Sequence, residues 1–216
     1  MVAGATGRPR LRGWLHAGAL PATLIAGFVL VACGPTLQAR LAAAVYAVTS
    51  ALLFGVSATY HRGRLSPRLA EALRRMDHAN IYLVIAGTYT PFALLALSGA
   101  ARVAVLVVVW AGAAGGVLFR VAWLRAPRWL YTTLYIALGW TAAFVLPQLM
   151  RGAGLPAVIL VITGGVLYSV GGVVYGLRRP DPSPRWFGYH EVFHAFTLGA
   201  YALQYIAVSL VVYSAA

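Results

Sequence analysis

Residues 189–213, YHEVFHAFTLGAYALQYIAVSLVVY, form the last long apolar run of the chain and carry two histidines at its mouth. Crossing the hydrocarbon core of a bilayer takes about 20 mostly apolar residues, so this stretch reads as a membrane-spanning helix. On a helix His190 and His194 lie about 40° apart in rotation and about 6 Å apart along the axis, and both face one way. Turned into a bundle, the pair can supply two nitrogen ligands to one metal ion. Two questions follow: whether the run has companions, and whether those companions bring further ligands.

Comparable runs occur at approximately 14–33, 41–60, 78–97, 103–121, 129–148 and 155–176. With 61% hydrophobic and 10% charged residues among 216, the chain has too little polar surface for a water-soluble globule of its size. The expectation is an all-α, polytopic membrane protein, with seven transmembrane helices in one bundle and a single domain spanning 1–216. No cleavable signal is evident, because Ala32 and Cys33 lead into further apolar segments. Cys33 has no second cysteine to pair with, which excludes an internal disulfide and a cysteine metal cluster.

The formal charge is +13, and all seventeen basic residues are arginines. Such a balance is typical of nucleic-acid binders, but here the arginines fall in short clusters between apolar runs, with no soluble stretch able to hold a duplex. Nucleic acid is therefore excluded as a partner, and membrane lipids are the expected surroundings. Arg8, Arg10 and Arg12, then Arg62, Arg64, Arg68, Arg74 and Arg75, then Arg120, Arg125 and Arg128, then Arg178, Arg179 and Arg185 all fall on one side, against Arg40, Arg102 and Arg151 on the other. The positive-inside rule puts the N-terminus in the cytoplasm and the C-terminus outside, in the inner (plasma) membrane. Trp14, Trp123, Trp129, Trp186 and Tyr189 sit at the same inner interface, as amphipathic aromatics do.

Local signals add detail. Ser66-Pro67 reads as a cap and first turn, and Leu69, Leu73 and Met76 recur at helical spacing, which predicts a short amphipathic helix on the inner leaflet. Gly112 with Gly116 and Gly172 with Gly176 are packing features. Pro91 and Pro147 predict kinks within the third and fifth spans, with Thr88 near the carbonyl that Pro91 leaves unpaired.

Ionisable residues are costly in a membrane and mark functional sites. His61 lies at the inner end of the second span, Asp77 and His78 at the inner start of the third, and His190 and His194 in the first turns of the last. Three helices thus bring strong ligand types to one depth. Zinc suits the set best, because three imidazoles leave a fourth tetrahedral position open. The expected ligands are His61, His190 and His194, with Asp77 as general base. Ser57, one turn deeper than His61, is expected to orient water or donate to an oxyanion. His78, about 100° from Asp77, is read as interfacial or as a support to the ligands. His16 is an outsider with an open role, and Glu191 points away from the histidine face and caps its helix.

Ser57-Ala-Thr-Tyr-His61, Met76-Asp77-His78-Ala-Asn-Ile-Tyr82 running into Ala86-Gly-Thr-Tyr-Thr-Pro-Phe92, and Gly188-Tyr-His-Glu-Val-Phe-His194 together resemble the hemolysin III family. Arg178-Arg179-Pro180 resembles that family's sixth connection. The family is grouped with the progestin and adiponectin receptor family of seven-helix proteins. The resemblance implies a zinc ion near the inner leaflet held by His61, His190 and His194, with Asp77 and Ser57 beside its water. It also implies a role in membrane lipid homeostasis, either by hydrolysis of a lipid amide or ester in the manner of alkaline ceramidases or, as the name hemolysin suggests, by pore formation. A lipid sensor with a structural zinc is the remaining non-enzymatic expectation.

Overall fold

A computed structural model of the chain describes residues 9–215, so Arg8 and the extreme ends of the expected domain lie outside the described residues. The elements are α1 (Trp14–Ala32), α2 (Leu37–Arg62), α3 (Pro67–Ala96), α4 (Gly99–Ala122), α5 (Arg128–Gly139), a 3-10 turn (Trp140–Val145), α6 (Leu146–Leu177) and α7 (Tyr189–Tyr213). No β-strand occurs among the described residues. Six helices in them are long and apolar enough to cross a membrane, the continuous stretch Arg128–Leu177 counting as one.

Helix contacts are made by small residues. Ala39, Ala43, Ala86, Ala93, Ala113, Ala157, Ala200 and Ala207 are fully buried, which lets backbones approach as helices in lipid require. Large apolar side chains such as Ile25, Phe28, Leu118 and Phe144 face outward instead. That inversion of a water-soluble surface marks a perimeter built for lipid.

Three sequence expectations change. The amphipathic segment after Ser66 does not lie apart from the third span but is its first part, giving one 30-residue helix. Nothing between Pro67 and His78 breaks a helix: Arg, Leu, Ala, Glu and Met are good formers, and Glu71 pairs with Arg75 at 2.6 Å across one turn. The Pro91 site also differs, since Thr88 bonds the Val84 carbonyl rather than the one that Pro91 leaves unpaired. Pro147, finally, stands in the first turn of α6, where its missing N–H costs nothing, and not inside a helix.

The 128–177 stretch is folded back on itself. Trp140 Nε1 donates to Ser169 Oγ at 3.0 Å, a Cβ at Gly172 would touch Ile136, and Thr132 lies beside Gly176. This antiparallel register puts the reversal at Gly154, whose φ of 79° and ψ of 162° belong to a region that glycine alone occupies comfortably. Where α5 ends, Tyr89 of α3 closes the loose backbone: its hydroxyl donates to the Gly139 carbonyl and accepts from the Ala142 N–H at 2.7 Å. Irregular backbone at membrane depth is tolerated when protein satisfies it in this way.

Gly154→Ala is expected to lower stability by about 1–3 kcal/mol because of that dihedral pair. Gly115→Ala, at a position with nothing within 4 Å of a new Cβ, serves as the neutral control. Thermal unfolding of detergent-purified protein reads the difference.

Candidate metal centre

The arginine-rich ends of α1, α2, α3, α5 and α7 meet at one end of the bundle. Arg10 and Leu11 donate backbone hydrogen bonds to the Arg185 and Trp186 carbonyls at 3.0 and 3.1 Å, joining the segment before α1 to the loop before α7. Arg12 Nη1 reaches Glu191 Oε1 at 3.2 Å, and Glu191 Oε2 accepts from the Gly188 N–H at 2.8 Å. One buried carboxylate thus caps α7 and ties it to the chain entering α1. Gly13, with φ of 77°, passes so close to His61 that a Cβ there would collide with the histidine's own.

Within this frame His61, His190 and His194 each present a ring nitrogen, all within 4.8 Å of one another. His61 Nε2 and His190 Nε2 are 3.1 Å apart. Three clustered histidines of this kind can hold a metal ion. Asp77 Oδ2 stands 3.8 Å from His61 Nε2 and 3.9 Å from His78 Nδ1.

Around the cluster, His16 stacks on His194 with centroids 3.7 Å apart and planes 5° from parallel, and its Nδ1 is 2.8 Å from Ser57 Oγ. The Ser57 hydroxyl also faces Asp77. His78 Nδ1 lies 2.8 Å from the Arg74 carbonyl, which only accepts, so Nδ1 carries the proton. His78 Nε2 is left to accept from the Tyr175 hydroxyl at 3.4 Å.

Residues 5–205 of the chain match the haemolysin-III related family. The chain belongs to the haemolysin III family. It is 32% identical over 173 residues to Hemolysin-3 of Bacillus cereus, covering 80% of this chain and 76% of that protein. It is 34% identical over 162 residues to the Hemolysin-3 homolog of Bacillus subtilis, covering 74% and 72%. A multi-pass membrane protein of the haemolysin III family is what the helices and these relatives jointly describe.

In this haemolysin III family member the cluster opens into a cavity of about 200 Å³. Asp77, Ser57, His16, His78, His190 and His194 line its polar end, and side chains such as Ile81, Ile85, Phe92 and Leu149 line the rest. On α3 the lining runs from Asp77 to Leu97, about 30 Å of helix.

All seven expected site residues therefore gather at one end. His16, an outsider by sequence, is in direct contact with the cluster, and its depth in the first turn of α1 was the available signal. Tyr175 was missed, having no charge or metal-ligand chemistry to single it out.

Arg12→Met leaves Glu191 buried and unpaired, so a loss of about 3–5 kcal/mol is expected. Arg12→Met combined with Glu191→Gln is expected to recover most of it, because the amide oxygen still caps Gly188. Chemical denaturation of the single and double variants checks both.

Proposed function

We propose that this haemolysin III family member binds zinc through His61, His190 and His194 and hydrolyses a lipid amide or ester, serving membrane lipid homeostasis. The observation that carries this reading is a three-histidine cluster with a carboxylate beside it, set at the polar end of an otherwise apolar cavity. The donor set fits a cation. Two Nε2 atoms 3.1 Å apart cannot both be protonated donors, whereas both can direct lone pairs at a shared ion. Nitrogens at 2.0–2.1 Å from a tetrahedral zinc lie about 3.4 Å from one another, close to that separation. When bound, zinc supplies Lewis acidity and acidifies water toward a pKa of about 7.

The chain's own groups do the rest. The acyl chain lies along the apolar cavity and its carbonyl reaches the polar end. Asp77 takes a proton from the attacking water as the new C–O bond forms, then gives it to the leaving nitrogen or oxygen as the C–N or C–O bond breaks. Ser57 donates to the developing oxyanion. His16 orients Ser57: a proton on His16 Nδ1 makes the ring the donor, frees the serine proton for the oxyanion, and leaves Nε2, which has no partner among the described residues, as a bare acceptor.

The membrane arrangement belongs to the same proposal. The protein sits in the inner (plasma) membrane and crosses it seven times, the 128–177 stretch contributing two crossings. Its N-terminus and metal site are at the cytoplasmic leaflet, and its C-terminus is outside. The support is the gathering of the arginine-rich ends and of exposed Trp14, Trp123, Trp129 and Trp186.

A pore is the second reading, favoured by the printed name of the relatives. Against it, the polar residues deeper in the cavity are spent on helix carbonyls: Thr88 on Val84, Ser169 on Gly165, Thr197 on Phe193 and Gln204 on Val161. The described residues of one chain offer no continuous polar path.

Elemental analysis of detergent-purified protein is expected to give about one zinc per chain, lost in the His61→Ala, His190→Ala and His194→Ala triple variant. Asp77→Asn is expected to keep the zinc and lose about 10²- to 10⁴-fold of fatty-acid release from a lipid panel. Zinc content independent of the three histidines sinks the site. Calcein leakage from liposomes that survives the triple variant, with no fatty acid released by the wild type, selects the pore. For topology, single cysteines at Arg68 and Ala100 in a Cys33→Ser background are expected to react with an impermeant maleimide only from the cytoplasmic and outer sides, respectively.

A further inference from the structure

Arg120, in the last turn of α4, is 1% exposed, and its Nε and Nη1 have no hydrogen-bond partner among the described residues. A guanidinium buried beside lipid needs a counter-charge, and the chain cannot provide it. There are four acidic side chains in all. Glu71 is paired with Arg75, Asp77 stands between His61 and His78, Asp181 accepts from the Tyr189 N–H at 2.8 Å, and Glu191 holds Arg12. The face of Tyr131, 4.3 Å from Arg120 Cζ, and the carbonyl end of α4 ease the charge but accept from neither of the two buried nitrogens.

A second idle donor stands nearby. The Tyr82 ring packs where Gly116, one turn before Arg120, leaves room, and its buried hydroxyl has no partner among the described residues. That hydroxyl is within electrostatic range of Arg120. The neighbouring Tyr135 hydroxyl is already committed, donating to the His78 carbonyl at 3.1 Å. Convergent N–H and O–H donors around one fixed cation are what an oxyanion requires.

The surroundings say which oxyanion. Arg74 of α3 and Arg128 of α5 lie within electrostatic range of His78, as Arg120 of α4 does, so positive charge from three helices gathers around that residue. Arg75 bonds the Val121 carbonyl and fastens α3 to the end of α4. Trp123 and Trp129, both exposed, follow the end of α4 and open α5 as interfacial anchors, and exposed Leu118 and Val121 continue the α4 face into the bilayer. Basic pockets between membrane helices at the arginine-rich side suit anionic headgroups, and the apolar face beyond gives acyl chains somewhere to lie.

We propose that Arg120 and Tyr82 bind the phosphate of an anionic phospholipid headgroup where α3, α4 and α5 come together. This site is separate from the three-histidine cluster and does not depend on hydrolysis.

The test is binding of dioctanoyl phosphatidylglycerol to the full detergent-purified chain, by native mass spectrometry and thermal unfolding, against dioctanoyl phosphatidylcholine and inorganic phosphate. Phosphatidylglycerol is expected to remain bound and raise Tm, with affinity weakened about 10-fold or more in Arg120→Met and about 3-fold or more in Tyr82→Phe. Without lipid, Arg120→Met is expected to unfold at the same or a higher temperature, because it trades an unpaired buried charge for an apolar side chain. Equal phosphatidylglycerol affinity in wild type and Arg120→Met overturns the proposal, as does phosphatidylcholine binding as tightly. An Arg120-dependent shift of the same size with inorganic phosphate overturns the lipid in favour of the free ion. If Arg120→Met does not fold, Tyr82→Phe decides: an affinity equal to wild type overturns the site.

Discussion

Four carboxylates serve seventeen guanidinium groups in this chain, and inside a bilayer a charged group has no water to fall back on. Where each carboxylate goes therefore decides how the arginine-rich end is assembled. Glu191 has the largest share of that work. It is 1% exposed, caps α7 through Gly188 and pairs with Arg12, so the start of α7 and the entry to α1 are held by one side chain. His190 is its neighbour in sequence, and His16 lies four residues beyond Arg12. The histidines from these two helices meet because the carboxylate between their helix ends leaves little freedom in the docking.

Packing then completes the cluster from the other side. Gly13 lets the chain turn against His61 at a distance no other residue permits, which brings the end of α2 up to the mouth of α1. Asp77 reaches the same point from α3, ten residues beyond that helix's first residue, Pro67. Polar chemistry is concentrated in one layer, and below it the cavity between α3, α5, α6 and α7 is lined mainly by aliphatic and aromatic side chains, with Thr88, Ser169, Thr197 and Gln204 bonded to helix carbonyls. A long apolar slot ending in a compact set of imidazoles and one carboxylate is the division on which the proposed lipid substrate rests.

Several features were legible without coordinates for definite reasons. Length and hydropathy of the runs mark membrane helices because lipid admits few alternatives. The four-residue spacing of His190 and His194 puts them on one face because the helix repeat is fixed. Depth could be counted from span ends, which is why His61, Asp77 and Ser57 could be grouped with that pair. Other features depended on neighbours. Arg120 counts as a loop charge by position, yet the structure buries it against Tyr131. His16 could be given a depth but not a direction, and only the packing of α1 on α2 and α7 turns its ring onto His194.

The chain by itself determined that this is a multi-pass helical membrane protein of the haemolysin III type, and it grouped the candidate site residues at one end of its helices. Those properties follow from composition, period and motif, all of which are local along the sequence. Tertiary structure decided the rotation of each helix about its axis, the fold-back at Gly154, and which guanidinium keeps a partner and which does not. These follow from small-residue contacts between distant segments and from competition for four carboxylates, and neither can be read one helix at a time. The pair that opens the last helix needed both: periodicity aligned His190 with His194, and the docking of α2 brought His61 to within 3.1 Å of the first of them.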